Sequence, residues 1–339
     1  MAAQHGIRWG FVGTGAIADN MATVVGMAPS ATLAAVASRT MASGSDFARR
    51  HGIGLVFDDW AELVACDAVD AVYVATPTSA REAICIGAAN HGRHVLAEKP
   101  LASLASLRRI IAACRGNRVA FMDATHFVHH PRTADIKASM ATRVGWPWSI
   151  DSAFQFYLAD RNNIRFDPEL EPLGAIGDAG WYNMRAAVEY LAPDIELRDA
   201  NAYLRRDEVS GAVIGGSGIL TFDDGATSTW NCGFDSGAVI SDLRISGERG
   251  SIGVSDFLGQ DPDGSATYTW QHRGRDPGDA VESVRIASSL PGAARMFEDF
   301  ARLVLDPALR EPGMRATERT QALLDAAWDS ALHNEHAAG

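Results

Sequence analysis

Lys99 is the residue whose position points most directly to chemistry. It stands in the run Glu98-Lys99-Pro100, immediately after a short apolar stretch at residues 94–97. Such a stretch is typical of a buried parallel strand, and ligands of parallel sheets bind beyond the carboxyl ends of the strands. Pro100 favours an extended backbone at Lys99 and so restricts the direction of its side chain. These features predict that Lys99 exchanges a proton with a substrate, although a lysine at a strand end is also a common surface charge.

A glycine-rich turn near the start of the chain indicates a phosphate-binding loop. Gly13-Thr14-Gly15-Ala16-Ile17-Ala18 has the pattern G-x-G-x-x-A, between an apolar run at residues 7–12 and an amphipathic stretch at residues 16–25. Between a strand and a helix, the first glycine permits the tight turn and the second lets a pyrophosphate approach the backbone. The small third residue lets the helix pack closely on the strand. We therefore predict that residues 13–17 bind a nicotinamide dinucleotide.

The residues after the second apolar run bear on which dinucleotide binds. A site selective for NAD places a carboxylate there, against the ribose 2′-hydroxyl, but this chain has Ala37-Ser38-Arg39-Thr40. Ser38 and Arg39 can hold a 2′-phosphate, the arginine through two charge-assisted hydrogen bonds. We predict NADP(H) as the preferred cofactor, with NAD(H) as the alternative if Arg39 is only a solvated residue before the next helix.

The first third of the chain alternates strand-sized and helix-sized segments. The apolar runs that predict strands are residues 7–12, 32–37, 55–57, 71–75, 94–97 and 119–122. The amphipathic stretches that predict helices are residues 16–25, 42–51, 80–90 and 104–114. This order predicts an α/β Rossmann domain over residues 1–123, a doubly wound parallel sheet with helices on both faces.

From residue 124 onward the pattern predicts an α+β domain that binds substrate and mediates oligomerisation, over residues 124–339. The predicted strands are residues 149–157, 197–205, 218–222, 227–234 and 243–246. Turns at residues 223–225 and 247–250 separate runs of alternating polarity, which is typical of antiparallel pairing. We expect a large, mostly antiparallel open sheet and a surface loop at residues 259–278. A sheet with one face left to cover favours a homodimer or homotetramer.

Bulk composition excludes several classes of partner. The 339 residues carry a formal charge of −12, whereas nucleic-acid surfaces need many Lys and Arg side chains. No stretch approaches the roughly 20 apolar residues of a membrane span, and the start of the chain lacks the regions of a signal peptide. The four cysteines form no C-x-x-C pair and predict free thiols. We expect a cytoplasmic protein that binds a small molecule and neither nucleic acid nor membrane.

Asp178 and Tyr182 are candidates to contact a substrate. They lie one helical turn apart, so both side chains can face one cleft. The apolar residues of the same stretch form a core stripe that leaves Tyr182 outside; they are Trp181, Met184, Val188 and Leu191. Capping of the helix explains Asp178 as well, and a position at a pocket rim explains Tyr182.

Histidines near the predicted domain junction allow two interpretations. Asp123, His126 and His129 recur every three residues, which is compatible with metal ligation, but no second cluster supports a metal. We expect no metal and favour His126 and Arg165 as polar walls for a hydroxylated substrate. Pro131 suits the first turn of a helix, so His129 or the following His130 can simply precede that helix.

Four motifs in this order resemble those of the Gfo/Idh/MocA family of oxidoreductases, over nearly the whole chain. They are residues 13–18, Ala75-Thr76-Pro77, Glu98-Lys99-Pro100 and Gly177-Asp178-Ala179-Gly180-Trp181-Tyr182. The resemblance implies cofactor contacts at Thr76, Pro77, Glu98 and Lys99. It also implies a catalytic set in which Lys99 gives or takes a proton while Asp178 and Tyr182 contact the substrate.

Two departures from the family pattern affect the expected chemistry. Arg81 stands where many members have a histidine near the nicotinamide, so a basic donor remains there but a titrating one does not. Tyr182 stands where members similar to inositol dehydrogenases have a histidine. The acid–base work is therefore expected to rest mainly on Lys99, or on Tyr182 with its pKa lowered by Lys99.

The predicted function is hydride transfer between NADP(H) and a sugar, polyol or related hydroxylated small molecule. In this hypothesis Lys99, aided by Tyr182, takes the hydroxyl proton, and Asp178 orients a neighbouring hydroxyl.

Other functions fit the same motifs. Three aromatic residues are compatible with a trans-dihydrodiol dehydrogenase; they are Phe127, Phe154 and Tyr157. A dinucleotide-binding sensor without turnover is a second alternative, and a glycosidase that retains its cofactor is a third. The presence of Lys99 argues against both of these.

Overall fold

This computed structural model of the protein describes residues 6–191, 195–272 and 281–338. The chain forms two units, the first from Met1–His129 and Leu290–Thr317, the second from His130–Ser289 and Glu318–Gly339. The sequence predicted a single boundary after residue 123. The structure differs because Leu290–Thr317, near the end of the chain, packs with the first unit.

The first unit is built on a six-stranded sheet. Its strands are β1 (Ile7–Val12), β2 (Ala31–Ala37), β3 (Leu55–Phe57), β4 (Ala71–Val74), β5 (His94–Ala97) and β6 (Phe121–Asp123). They lie in the order β3-β2-β1-β4-β5-β6 with parallel pairing throughout. The helices between them are α1 (Ala16–Val25), α2 (Met41–His51), α3 (Trp60–Ala65), α4 (Thr78–Asn90) and α5 (Leu104–Gly116). The predicted Rossmann sheet is confirmed, and α3 is an addition to the predicted elements.

Aromatic packing explains why the chain returns to the first unit. Trp9 of β1 is fully buried, and its ring centroid lies 5.0 Å from that of Phe297 and 4.9 Å from that of Phe300. Both phenylalanines belong to α8 (Gly292–Leu305). Aromatic pairs of this kind contribute about 0.5–1.5 kcal/mol beyond the burial of their surface. Helix α8 is therefore part of the core of the first unit.

The second unit is built on an eight-stranded sheet. Its strands are β7 (Pro147–Tyr157), β8 (Leu197–Arg206), β9 (Val213–Phe222), β10 (Thr227–Gly233), β11 (Asp235–Gly247), β12 (Gly250–Val254), β13 (Ala266–His272) and β14 (Val281–Ile286). They lie in the order β14-β13-β12-β11-β7-β10-β9-β8. The pair β7 and β10 is parallel, and the other pairs are antiparallel. The predicted large, mostly antiparallel sheet is confirmed.

Three further helices complete the described fold. Helices α6 (Pro131–Arg143) and α7 (Trp181–Tyr190) belong to the second unit, and α9 (Arg310–Ala338) contributes residues to both units. Within the described ranges, no helix is both long enough and apolar enough to cross a membrane.

The expectation of a surface loop at residues 259–278 is wrong for its central part. Strand β13 lies there and pairs with both β12 and β14. Residues 259–265 before it form turns and irregular structure, as expected of a loop, and residues 273–278 lie outside the described residues. Tyr268 is buried, and its hydroxyl donates to Asp135 at 2.6 Å. The alternation of side chains in β13 is too short to stand out among the flanking Asp, Pro and Gly residues.

Candidate active site

Gly13 shapes the turn between β1 and α1. Its φ is +111°, and a Cβ atom there would lie 2.5 Å from the carbonyl oxygen of Ala75. The backbone N–H of Gly13 donates to the carbonyl of Ala37 at 2.9 Å. A side chain at this position would clash with backbone, so the turn requires glycine.

The N-terminus of α1 is open to a ligand. Gly15 is the N-cap residue and provides no side-chain cap, whereas Thr40 caps α2 and Ser103 caps α5. A Cβ atom on Gly15 would meet nothing within 4 Å, and Ile17 in the first turn is 40% exposed. The first N–H groups of a helix lack intrahelical partners, and the helix dipole favours an anion there. This end of α1 therefore fits a pyrophosphate.

Polar side chains beyond β2 lie beside this turn. The hydroxyls of Thr14 and Ser38 are 3.2 Å apart, which joins the loop after β1 to the loop after β2. Arg39 is exposed, and within the described residues its guanidinium makes neither a hydrogen bond nor an ion pair. An arginine with its donors available next to a hydroxyl pair fits a phosphate monoester.

Thr76, two residues after the end of β4, has a side-chain hydroxyl that is available to a ligand. Its Oγ1 is buried and has no hydrogen-bond partner among the described residues. A buried hydroxyl without a partner costs about 1–3 kcal/mol of stability. Together with the open end of α1, this orphaned hydroxyl indicates that the residues present fit a bound dinucleotide.

Lys99 follows β5 and is 7% exposed. Its neighbour Glu98 is also buried and accepts a hydrogen bond from the hydroxyl of Tyr73. The Lys99–Pro100 peptide bond is cis. The guanidinium of Arg81 donates from Nη1 to the carbonyl oxygen of Pro100 at 2.6 Å. Hydrogen bonds therefore hold the residues on both sides of Lys99, Glu98 through Tyr73 and Pro100 through Arg81.

The strand order places these groups along one edge of the sheet. The carboxyl ends of β2, β1, β4 and β5 are adjacent in that order. Neighbouring strands lie about 4.8 Å apart, so the ends of β2 and β5 are roughly 14 Å apart. Arg39 thus stands near one end of an elongated ligand site, and Lys99 stands near the other.

The histidines after β6 have structural partners. His126–His129 forms a single 3₁₀ turn in the first unit, and Nδ1 of His129 lies 2.8 Å from Oδ2 of Asp299. Although burial opposes it, this contact with His129 lowers the pKa of Asp299 below its ordinary value. His130 caps α6 by accepting from the N–H of Arg132 at 3.0 Å, so its predicted place before a helix is confirmed.

Asp123 is buried and accepts hydrogen bonds from the hydroxyls of Thr125 and Thr317. Among the described residues, no group of three or more His, Cys, Asp or Glu side chains is arranged to hold a metal ion. His126 is half-buried in the first unit, whereas Arg165, its predicted companion at the substrate, belongs to the second.

In the second unit, Asp178 pairs with Arg165. Nε of Arg165 donates to Oδ2 of Asp178 at 2.6 Å, and the guanidinium also lies 5.9 Å from the ring centroid of Phe234. Asp178 lies in a π-helical turn, Ile176–Gly180, and α7 begins after Gly180 without a side-chain cap. Asp178 therefore lies within a helical turn that precedes α7, and Arg165 holds Oδ2 of its carboxylate.

Tyr182 is not at a rim. It is 8% exposed, and its ring meets that of Phe154 edge to face at 5.5 Å. The residues of α7 from Trp181 to Val188 are all buried. The spacing of apolar residues predicted that Tyr182 lies outside the core, because that pattern applies to a helix with one face in solvent. Helix α7 is buried on all sides from Trp181 to Val188.

Each unit gathers its own part of the predicted site. The first unit contains the turn at residues 13–17, Ser38 and Arg39, Thr76 and Pro77, Glu98 and Lys99, and His126. The second contains Arg165, Asp178 and Tyr182. Sequence reasoning missed Tyr73. A tyrosine in the otherwise apolar run of β4 is the signal that could have found it, because a buried hydroxyl needs a partner.

Comparison with known proteins identifies the family. The model of the oxidoreductase family with an NAD-binding Rossmann fold, GFO/IDH/MocA, matches residues 7–125, and the GFO/IDH/MocA C-terminal domain matches residues 137–253. The dTDP-3,4-didehydro-2,6-dideoxy-alpha-D-glucose 3-reductase of Streptomyces antibioticus is 30% identical over 317 residues, 92% of this chain and 91% of that protein. The chain belongs to the Gfo/Idh/MocA family.

Other members of the Gfo/Idh/MocA family are similar over the same length. D-xylose 1-dehydrogenase (NADP(+)) 2 of Haloferax volcanii is 29% identical, over 96% of this chain and 97% of that protein. The crystal structure of a 3-ketoreductase from Actinomadura kijaniata, in complex with NADP and TDP-benzene, superposes with a TM-score of 0.87. It is 25% identical and covers 96% of this chain and 98% of its own. The predicted family, fold and oxidoreductase class are confirmed.

Proposed function

We propose that this protein is an NADP(H)-dependent oxidoreductase that interconverts a hydroxyl and a carbonyl group on a sugar, polyol or related substrate. The observation that carries the proposal is the order of groups along the carboxyl edge of the first sheet. Arg39, the open end of α1, the orphaned hydroxyl of Thr76 and buried Lys99 follow one another there. The relatives named above act, by their names, on xylose and on a dTDP-linked sugar, which supports a sugar-like substrate.

The preference for NADP(H) rests on the loop after β2. In this proposal Arg39 and Ser38 hold the 2′-phosphate, and the N-terminus of α1 holds the pyrophosphate. Within the sequence Ala37-Ser38-Arg39-Thr40 no carboxylate is present to accept a ribose 2′-hydroxyl. The Haloferax relative is named for NADP(+), and the structure from Actinomadura contains NADP.

Lys99 is the proposed acid–base residue. When bound, the nicotinamide cofactor supplies the acceptor or donor of hydride. Nζ of Lys99 accepts the proton of the reacting hydroxyl during oxidation and returns a proton to the carbonyl oxygen during reduction. In this proposal Tyr182 contacts the reacting oxygen, and Asp178, held by Arg165, orients a neighbouring hydroxyl of the substrate.

Basic-residue usage supports this role for Lys99. Of 30 basic residues in the chain, only Lys99 and Lys137 are lysines, and the others are arginines. Arginine cannot give up its proton in a protein, whereas lysine can when its surroundings favour it. A chain that uses arginine almost everywhere thus has a lysine at the one basic position where proton exchange is proposed.

The two lysines provide a matched test. Lys99→Arg keeps a basic side chain but replaces the amine with a guanidinium that cannot give up a proton, so we expect kcat to fall by roughly 100-fold or more. NADPH affinity, measured by fluorescence titration, should change little. Lys137→Arg is the control, because Lys137 is half-exposed and pairs with Glu189 at 2.6 Å. A Lys99→Arg enzyme with the kcat of the wild type would contradict the proposal.

A substrate panel tests the other half of the proposal. NADP⁺ reduction is measured with aldoses, inositols and other polyols, and NADPH oxidation is measured with keto sugars. Absence of turnover throughout, with NADPH bound tightly, would instead favour the non-catalytic sensor.

A trans-dihydrodiol is a second candidate substrate. Tyr182 contacts Phe154, and the Phe154, Phe156 and Phe234 rings form a cluster with centroid distances of 5.5 Å and 5.2 Å. Of the other aromatic residues considered, Tyr157 is largely exposed and Phe127 is buried in the first unit. Turnover of a cyclic trans-dihydrodiol that exceeds turnover of every sugar in the panel would favour this alternative.

We also propose that the protein is cytoplasmic and forms a homodimer or homotetramer through the sheet of the second unit. All four cysteines carry free thiols, which suits a reducing compartment. One face of the sheet forms an open groove of about 840 Å³, lined by polar residues such as Asp151, Thr229 and Arg244. Light scattering of the purified protein measures the oligomeric state, and a monomer at micromolar concentration would contradict it.

A further inference from the structure

We propose that Arg81 and Tyr73 are positioning residues that act through Lys99. They hold the residues on either side of Lys99 so that its amino group keeps the alignment that proton transfer requires. This inference rests on the proposed function of Lys99 and assigns to Arg81 a role other than direct contact with the cofactor.

Arg81 restrains the chain after Lys99. It lies in the first turn of α4 and is 6% exposed. Nη1 donates to the carbonyl oxygen of Pro100 at 2.6 Å and to the hydroxyl of Thr78 at 2.7 Å. A buried guanidinium that donates to a backbone carbonyl forms a strong hydrogen bond, and its planar geometry fixes the direction of the acceptor. The peptide group directly after Pro100 is therefore fixed relative to α4.

Tyr73 restrains the chain before Lys99. Its ring is fully buried in β4, with centroid distances of 4.7 Å to Phe11 and 6.1 Å to Phe297. Its hydroxyl donates to the carboxylate of Glu98, and the backbone N–H of Glu98 donates to the carbonyl of Val74 at 2.9 Å. Side chain and backbone of Glu98 are thus both held by β4.

Restraint on both neighbours makes the position of Lys99 depend on two distant side chains. Catalytic groups are sensitive to such support, because a displacement of about 1 Å can reduce a rate by roughly 100-fold. A titrating group is not needed at position 81 for this purpose. A permanently charged arginine keeps its hydrogen bonds at every pH at which the enzyme works.

The kinetic test compares Arg81→Met, Arg81→Lys and Tyr73→Phe with the wild type. We expect Arg81→Met to lower kcat, expressed per NADPH-binding site, by roughly 10- to 100-fold. The KM for substrate and the Kd for NADPH should stay close to wild-type values. Arg81→Lys keeps a donor for Pro100 and should restore part of the loss. Tyr73→Phe keeps the ring packing and should lower kcat in the same way.

Arg93→Met is the matched control. Arg93 also donates to a backbone carbonyl, that of Val64 at 2.9 Å, but it directly precedes β5, whereas Lys99 follows that strand. Its loss should leave kcat unchanged even if the thermal stability falls. Should Arg81→Met fail to fold, Tyr73→Phe and Arg81→Lys still test the inference.

A spectroscopic readout separates positioning from a general loss of structure. Protein labelled with ¹³C at lysine Cε gives signals from two lysines only, Lys99 and Lys137, and Lys137→Arg assigns them. In Tyr73→Phe and Arg81→Met the Lys99 signal should shift or broaden, while the Lys137 signal stays in place.

Two results would overturn the inference. One is a wild-type kcat in both Arg81→Met and Tyr73→Phe, and the other is an unchanged Lys99 signal in both. If Lys99→Arg abolishes turnover but these variants do not reduce it, positioning fails while the proposed function stands. If Lys99→Arg itself keeps full turnover, the proposed function fails first.

Discussion

Arg165 donates a hydrogen bond from Nε to Oδ2 of Asp178 over 2.6 Å. The contact joins the 3₁₀ turn Ile164–Phe166 to the π-helical turn before α7, and both side chains are partly exposed. Oδ2 of Asp178 is therefore held by a cation of its own unit. A carboxylate held in this way is ready to accept a hydroxyl hydrogen bond without first being ordered.

Asp178→Asn and Arg165→Met are expected to weaken substrate binding. The first removes the charge of the acceptor, and the second removes the group that orients it. We expect the KM for substrate to rise by roughly 10-fold in each, in line with the loss of a hydrogen bond to a charged group. The Kd for NADPH should not change. Steady-state kinetics and NADPH titration measure both quantities.

Arg206→Met is the control for that pair. Arg206 forms a comparable ion pair with Glu335 at 2.9 Å in the same unit, and both side chains are partly exposed. Its loss should leave KM unchanged. An equal rise of KM in Arg206→Met would show that the effect at Arg165 is not specific to the substrate.

Replacement of Arg39 should change the cofactor preference. Arg39→Gln removes a charge-assisted contact to the 2′-phosphate, so kcat/KM for NADPH should fall by roughly 10-fold or more while that for NADH changes little. Arg39→Asp should move the preference further, toward NADH. Arg49→Gln is the control, since Arg49 is exposed on α2 and pairs with Asp46. A wild-type enzyme that already prefers NADH would refute the assignment.

Gly13→Ala and Gly15→Ala should fail in different ways. At Gly13 a Cβ atom would clash with the Ala75 carbonyl at a φ of +111°, so we expect a large loss of thermal stability. At Gly15 the backbone angles, φ −75° and ψ 179°, suit alanine, and the added Cβ meets open space. Gly15→Ala should therefore keep the melting temperature of the wild type but lose NADPH affinity. Unchanged affinity in Gly15→Ala would mean that no pyrophosphate lies there.

His94 should make stability depend on pH. Burial, assisted by the charge of Arg310, lowers the pKa of His94 from 6.5 to about 4. Between these values the unfolded chain binds a proton that the folded protein does not, so stability falls as the pH decreases. From pH 7 to pH 5 the loss due to His94 is up to about 2 kcal/mol.

His94→Asn tests this dependence. The asparagine Oδ1 can replace Nδ1 of His94 as the acceptor for the N–H of Ala120, a contact of 2.9 Å. Urea unfolding at pH 7 and pH 5 should show a smaller loss of stability in this variant. His333→Asn, at an exposed position of α9, is the control. The same pH dependence in His94→Asn and wild type would assign the effect to another group.

Local patterns in the sequence were sufficient for the first sheet and its ligand-binding turn. Periodicity is a property of neighbouring residues, so β1 and α1 were predicted with the ends that they have in the structure. Gly13 is required by the positive φ of its own turn, which is a local property of the backbone. The absence of a carboxylate after β2 can be read directly from residues 37–40. The first unit could therefore be predicted apart from α3 and the returning segment.

Contacts between distant residues were decided only by the tertiary structure. Tyr73 meets Glu98, Trp9 meets Phe297, and Arg165 meets Asp178, and no period or spacing relates the members of these pairs. The sequence determined which residue types are available for cofactor binding and proton transfer. The fold decided which of these residues are buried in the core, such as Tyr182, and which are held by another side chain, such as Asp178 by Arg165. Side-chain burial and pairing depend on elements that meet only after folding.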